Sequence, residues 1–172
     1  KKIKKLTYQK RIDYCLNSSA RALCQLIAEK QSNLCLSADI NCADELLALA
    51  DKVGTEICLL KTHVDILNKF TPEFISQLKY LAAKHQFLIF EDSKFASIAR
   101  ANQYPDFVMG FISQHQLTEN PGFIHMTPGV QFDPMSGDGL GQQYISPEQA
   151  IIQNASDIII VGRGIYQAND VL

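Results

Sequence analysis

Asn33-Leu34-Cys35-Leu36-Ser37-Ala38-Asp39 and Ile57-Cys58-Leu59-Leu60-Lys61 share one pattern: an unbroken apolar run that ends in a charged residue. A strand with one wet face alternates apolar and polar side chains, so a run apolar at both parities belongs to a strand covered on both faces. Leu34 to Ala38 and Ile57 to Leu60 are therefore read as buried strands. Phe87 to Phe90, ending at Glu91 and Asp92, repeats the pattern, as do Phe107 to Ile112, Phe123 to Met126 and Ile158 to Val161. Helix-like segments lie between them. Ala20 to Lys30 carries Leu23 and Ile27 on one face; a second segment is expected to be capped by Asn41, with Asp44 three residues on, and to stop at Gly54. Thr71-Pro72-Glu73 sets a capping hydroxyl before a proline at the first helical position, with Phe74, Ile75, Leu78 and Leu81 facing one side. Ser146-Pro147-Glu148-Gln149 predicts another helix start by the same logic. Buried strands alternating with helices specify a parallel α/β sheet or barrel.

Composition narrows the function classes. A chain of 172 residues with 47% hydrophobic content and a formal charge of −2 fits one domain with a sizeable core and excludes intrinsic disorder. Its 16 basic and 18 acidic residues are spread along the chain, apart from Lys1, Lys2, Lys4 and Lys5, so no basic stripe calls for nucleic acid. No apolar stretch approaches the roughly 18 to 20 residues of a bilayer span, and the start lacks a signal-peptide core. Five cysteines (Cys15, Cys24, Cys35, Cys42, Cys58) contain no CxxC pair, which fits reduced thiols and a cytoplasmic location. The four histidines never fall at metal-ligand spacing. His125, inside an apolar run, reads as a satisfied core or rim histidine.

Polar residues gather where the strands end: Asp39, Lys61 with His63 and Asp65, Asp92 with Lys94, Thr127, and Arg163 between Gly162 and Gly164. The C-terminal rim of the strands carries the active site in (β/α) barrels, so charge at strand end after strand end is the pattern of a barrel enzyme. Six strands are fewer than the eight of a closed barrel. The shortfall falls between Ile98 and Phe107, where only one short helix fits. The expectation is a single domain over residues 1–172, a (β/α)8 TIM barrel with about two βα units absent after Ile98 and an internal gap near residues 98–104.

The segments 33–39, Leu60-Lys61-Thr62-His63-Val64-Asp65-Ile66-Leu67 and Phe90-Glu91-Asp92-Ser93-Lys94-Phe95-Ala96 closely resemble the orotidine 5′-phosphate decarboxylase family. Thr127-Pro128-Gly129-Val130-Gln131, Leu140-Gly141-Gln142-Gln143-Tyr144 and Asp157 to Gly164 resemble its phosphate end, in the right order. The likeness looks nearest to the decarboxylase domain of uridine monophosphate synthase and its bacterial relatives, with no phosphoribosyltransferase domain ahead of it.

The resemblance implies decarboxylation of orotidine 5′-monophosphate to uridine 5′-monophosphate in pyrimidine biosynthesis, by a homodimer with a shared site, without metal or organic cofactor. It implies a catalytic row of Lys61, Asp92 and Lys94 beneath the pyrimidine. Asp39 and Lys61 are implied at the ribose, Ser37 near the base, and His63 and Asp65 at the ribose end; Pro128, Gln142, Tyr144, Gly162 and Arg163 are implied around the nucleotide's phosphate end. Pro134 to Gly141 reads as a lid. A guanidinium fork suits phosphate oxygens, and the flanking glycines let backbone amides approach.

The sequence also departs from the family. Ser97 stands where the resemblance implies a second aspartate that enters the neighbouring subunit's site, and a serine cannot supply that charge. Ser93 stands where an arginine is usual. Two rival classes compete with the decarboxylase: a degenerate, non-catalytic nucleotide- or phosphate-binding barrel, and a phosphosugar barrel enzyme of the epimerase or aldol type. The Lys61 motif disfavours the latter.

Overall fold

All six apolar runs form strands, and their boundaries move by no more than the ladder ends dictate. The computed structural model describes residues 6–62, 66–91, 109–132 and 144–168. The strands are β1 (Leu34–Ala38), β2 (Leu59–Thr62), β3 (Leu88–Glu91), β4 (Gly110–Ile112), β5 (Ile124–Thr127) and β6 (Ile158–Val161). Every pairing is parallel, in the order β3-β2-β1-β6-β5-β4. That is the circular order of a barrel opened between β3 and β4: the first strand pairs with the last, and the chain's middle supplies both edges. The fold class is thus α/β with a parallel sheet in barrel order.

β2 begins two residues later than the apolar run, because Cys58 already donates to Leu34 O before the ladder settles. The shift puts Lys61 inside the strand rather than after it. Phe107 and Val108, with which the fourth strand is expected to begin, lie outside the described residues. Gly110 admits only glycine, since a Cβ there would sit 1.9 Å from Ile124 O on the neighbouring strand.

Among the described residues four α-helices precede the fourth strand: α1 (Tyr8–Arg11), α2 (Ser18–Lys30), α3 (Ala43–Val53) and α4 (Pro72–His85). α4 starts as the sequence predicts, with Thr71 Oγ1 accepting from Phe74 N–H at 3.2 Å. The predicted cap of α3 is corrected. Its N-cap is Cys42, not Asn41, because Asn41 O is engaged by Asn68 N–H and the chain turns helical one residue later. Ser146 Oγ does accept from Gln149 N–H, but the segment it opens is a five-residue π-helix, Gln149–Gln153, instead of a regular helix.

Two apolar clusters split the strands by parity. Leu36 and Leu60 pack with Leu46, Ala50, Leu78 and Leu81 under α3 and α4. Cys35, Leu59, Ile160 and Met126 face the other way, onto Leu23, Cys24 and Ile27 of α2. Full burial of a large aliphatic side chain contributes about 1.5–3 kcal/mol. At the N-terminal ends of the strands, Lys30 Nζ donates to Gly54 O, Ile57 O and His85 O at 2.6–2.8 Å, closing the C-terminal ends of α3 and α4. Burial lowers its pKa.

Candidate active site at the C-terminal rim of the sheet

Register builds this site. Ser37 of β1 pairs with Lys61 of β2, so both side chains leave the same face side by side. Lys61 Nζ donates to Ser37 Oγ at 3.3 Å, and Ser37 Oγ donates to Asp39 Oδ1 at 3.3 Å. A hydroxyl therefore bridges an ammonium and a carboxylate. Lys61 is only 8% exposed, which sets it apart from an ordinary surface lysine. Asp39 lies beyond β1 and does not cap α3, whose N-cap is Cys42.

β6 brings the guanidinium. Cys35 and Leu36 of β1 pair with Ile160 and Val161 of β6, so Gly162 arrives beside Ser37, and Arg163 follows it into the space that Ser37 and Asp39 line. Gly162 caps the short helix α5 (Arg163–Tyr166). From β5, Pro128 and Gly129 turn over the same space; Gly129 has φ 71°, a left-handed conformation that glycine adopts without a Cβ penalty. Ile145 N–H then donates to Gly129 O, and Gln131 N–H to Ile145 O, a small clasp that holds Tyr144 at the rim.

These residues line one pocket of about 250 Å³: Ser37, Asp39, Lys61, Pro128, Gly129, Tyr144, Gly162, Arg163 and Tyr166, with Ile112 and Ile160 as apolar floor. Of the residues expected from the sequence, Ser37, Asp39, Lys61, Pro128, Tyr144, Gly162 and Arg163 are thus brought together. His63, Asp65, Asp92, Lys94 and Gln142 lie outside the described residues, as do Ser97 and the Pro134 to Gly141 stretch.

Thr127 ends β5 as expected but is not among the residues lining the pocket; its hydroxyl donates to Ser113 O at 3.0 Å. Two expectations are corrected. Asp157 belongs to the opposite end of β6, paired with Arg11 at 2.6 Å. His125 is a core residue, 3% exposed and packed 5.8 Å from Phe111 by ring centroids, but Nε2 has no partner among the described residues.

Sequence reasoning missed Tyr166. Burial and then the charge of Asp39 raise its phenol pKa, so the two groups sense each other across the pocket mouth. Its one signal in the sequence is the spacing of three from Arg163, one turn on a helix.

A parallel sheet in barrel order, with ammonium, carboxylate and guanidinium gathered in one pocket at the C-terminal ends of its strands, defines a protein of the (β/α)-barrel enzyme class. The chain belongs to the Orotidine 5'-phosphate decarboxylase / HUMPS family, whose model matches residues 32–100 and 96–172. It is 39% identical to orotidine 5'-phosphate decarboxylase of Aureobasidium pullulans over 235 aligned positions, covering 95% of this chain and 87% of that protein. It is 34% identical to the Phycomyces blakesleeanus protein of the same name, over 95% and 88% of the two chains. Uridine 5'-monophosphate synthase of Bos taurus is 37% identical over 85% of this chain, which matches 45% of that longer protein. A solved orotidine 5'-phosphate decarboxylase structure from Pyrococcus horikoshii OT3 aligns with a TM-score of 0.41 at 14% identity, over 80% of this chain and 93% of that one.

Proposed function

We propose that this pocket decarboxylates orotidine 5′-monophosphate to uridine 5′-monophosphate, the carboxy-lyase step of pyrimidine biosynthesis. The observation that carries the reading is the hydrogen-bonded line Lys61–Ser37–Asp39 sharing one pocket with Arg163. A nucleoside monophosphate needs both ends of such a pocket: polar groups for ribose hydroxyls and base, and a guanidinium for the phosphate. Ser37, Asp39 and Lys61 take the first part; Pro128, Gln142, Tyr144, Gly162 and Arg163 take the second, and His63 and Asp65 brace the ribose end.

The chemistry requires the bond from C6 to the carboxylate to break with its electron pair left on C6. Lys94 stabilises that charge with its ammonium and delivers a proton to the carbon, regaining one from water afterwards. Asp92, between Lys61 and Lys94, keeps both ammonium groups charged and in place. The same reading makes the enzyme a cytoplasmic homodimer with a shared site. All five cysteines are free, in keeping with a reducing compartment. No helix among the described residues is long and apolar enough to cross a membrane.

The test follows an isotopic label in the substrate carboxylate. It uses the chain as it stands and a closed form, which carries between Ile98 and Tyr104 the stretch of the Aureobasidium pullulans relative that this chain leaves unmatched. Labelled carbon dioxide and uridine 5′-monophosphate in equal amounts from the closed form, lost in Lys94→Ala with binding retained, is the expected result. Nucleotide binding by a closed form that releases no label would overturn the decarboxylase reading.

A further inference from the structure

Cys15 and Cys24 meet inside the core, Sγ to Sγ at 4.0 Å, and neither residue is reached by solvent. They stand nine positions apart, with Leu16, the N-cap Asn17 and the opening turns of α2 between them. Asn17 Oδ1 accepts from Ser19 N–H at 2.9 Å and from Ala20 N–H at 3.0 Å, so the connection is folded into place without a covalent tie. The other thiols are engaged elsewhere. Cys58 Sγ donates to Leu34 O at 3.3 Å and Cys35 Sγ to Leu36 O at 3.9 Å, each to a carbonyl of β1, and Cys42 stands partly exposed at the start of α3.

Position gives the pair a route to solvent. Cys15 ends the three-residue 3-10 turn Ile12–Tyr14, where its N–H donates to Ile12 O at 3.3 Å. Its chain neighbours Tyr14 and Leu16 are both more than half exposed, so opening this one turn carries Cys15 Sγ outward while α2 keeps Cys24 in place. Arg21 of α2 donates to Cys15 O at 3.0 Å and draws the turn back beside Cys24. Until the turn opens the thiols are shielded. Burial, and then the neighbouring Cys15, pushes the Cys24 thiol up to about 12 against the pull of the Arg11 guanidinium, which keeps it protonated and inert.

We propose that Cys15 and Cys24 form a redox-modification site, at which a low-molecular-weight disulfide oxidises the two thiols to a bond that ties the Ile12–Tyr14 turn to α2. The exposed Cys15 gives its proton to water and attacks one sulfur of the reagent; a mixed disulfide forms and one small thiolate leaves. Cys24 then gives up its proton and attacks Cys15 Sγ, and the second small thiolate leaves. Each leaving thiolate takes up a proton, so two protein thiols lose two electrons and one reagent disulfide becomes two thiols. The sulfurs close from 4.0 Å to about 2.05 Å, a movement that the turn supplies. The bond fastens the segment that carries Tyr8 and Arg11, both of which hold Asp157. Neither cysteine lines the pocket, so the site stands apart from the decarboxylation chemistry.

Thiol counting tests it on the 172-residue chain carrying Cys42→Ser, which removes the partly exposed thiol and leaves four of the five. After incubation with oxidised glutathione the intact mass is expected to fall by two hydrogens, and the thiols that alkylate in denaturant from four to two. Peptide mapping is expected to join Cys15 to Cys24. The melting temperature of the oxidised protein should rise by about 5 °C or more and return on reduction. With Cys24→Ser added, a lasting glutathione adduct on Cys15 is expected; with Cys15→Ser added, Cys24 is expected to stay unmodified, which marks Cys15 as the attacking thiol. A bond between any other pair, an adduct that persists with both cysteines present, or no loss of thiols would overturn the proposal. So would a melting temperature that drops on oxidation. Equal selectivity for this pair in denaturant would overturn it too, since chain proximity rather than the fold would then choose the partners.

Discussion

Lys61 sets the cost of burying an ammonium against the partners that offset it. A lysine almost never lies fully buried unless paired; here Ser37 Oγ accepts from Nζ and directs its own proton toward Asp39. Lys61→Ala removes the donor and takes this cation from Ser37, so turnover is expected to fall steeply in the closed form. Lys61→Arg is not expected to rescue it, because a planar fork does not fit a position shaped for a compact ammonium. Steady-state kinetics of the two variants check both statements, and near-wild-type turnover in either would show that Lys61 is not part of the row. Arg163 makes a different prediction, since the proposed reading gives it the phosphate, a contact present before reaction. Arg163→Ala is expected to cost about 1.5–3 kcal/mol in nucleotide binding, roughly a 10- to 150-fold rise in Kd. The bare nucleoside should hardly notice. Calorimetric titration with uridine 5′-monophosphate and uridine separates the cases, and equal losses for both would remove Arg163 from the phosphate site.

Between α3 and α4 a surface cluster ties two helices that sequence alone could place only separately. Asp51 Oδ1 lies 2.6 Å from His85 Nε2 and 2.7 Å from Lys84 Nζ. The hydrogen bond to His85, then that to Lys84, holds the Asp51 carboxyl below its usual pKa, and Lys84 is raised in turn by Asp51. A depressed carboxyl contributes stability above its unfolded pKa of about 3.9 and loses it as pH falls through the folded value. Melting curves of Asp51→Asn should therefore converge on wild type in acid and fall below it near neutrality; a gap that persisted unchanged in acid would contradict the tie. The elements themselves were legible wherever the signal was local. Continuous apolar runs marked all six strands, and Thr71 with Pro72 marked the start of α4. The features that escaped were set by distant partners: β2 ends where β1 lets it, and Asn41 loses its cap because residue 68 claims its carbonyl. Asp39, Lys61 and Arg163 were legible as strand-end residues, and Ser37 only through the family resemblance. The nearness of Tyr166 to Asp39 arises only from the pairing of β1 with β6.

At the scale of the whole molecule, the candidate pocket and the buried Arg11–Asp157 pair lie at opposite ends of the sheet, the division between site and stability that barrel enzymes show generally. The rim holds the pocket, and the far end holds a buried ion pair whose carboxylate the sequence alone groups with the phosphate end. Arg11 Nη1 meets Asp157 Oδ1 at 2.6 Å, while Nη2 and Nε donate to Phe123 O and Pro121 O at 2.7 and 3.1 Å. Asp157 Oδ2 accepts from His125 N–H, and Asp157 O accepts from Asn33 Nδ2 and Tyr8 OH. One carboxylate residue thus joins α1, β5 and β6 with the residue that leads into β1. Burial by itself would lower the Arg11 pKa, but the charge and hydrogen bond of Asp157 outweigh it and raise it; burial, with the same carboxylate second, pushes Tyr8 up to about 12. Removing one partner of a buried pair strands the other's charge, so Arg11→Met or Asp157→Asn is expected to destabilise the closed form by about 3–5 kcal/mol. The double variant should lose less than the sum of the two, because the stranded charge is gone while the backbone bonds of residue 157 persist. Urea unfolding of the four proteins measures the coupling, and additive losses would deny that the pair acts as a unit. Uridine 5′-monophosphate affinity, measured well below the melting temperature, should be unchanged in all four. A shift in affinity that tracked the loss of stability would mean that the clamp at the far end also shapes the rim, and that the two ends of the sheet are not separable.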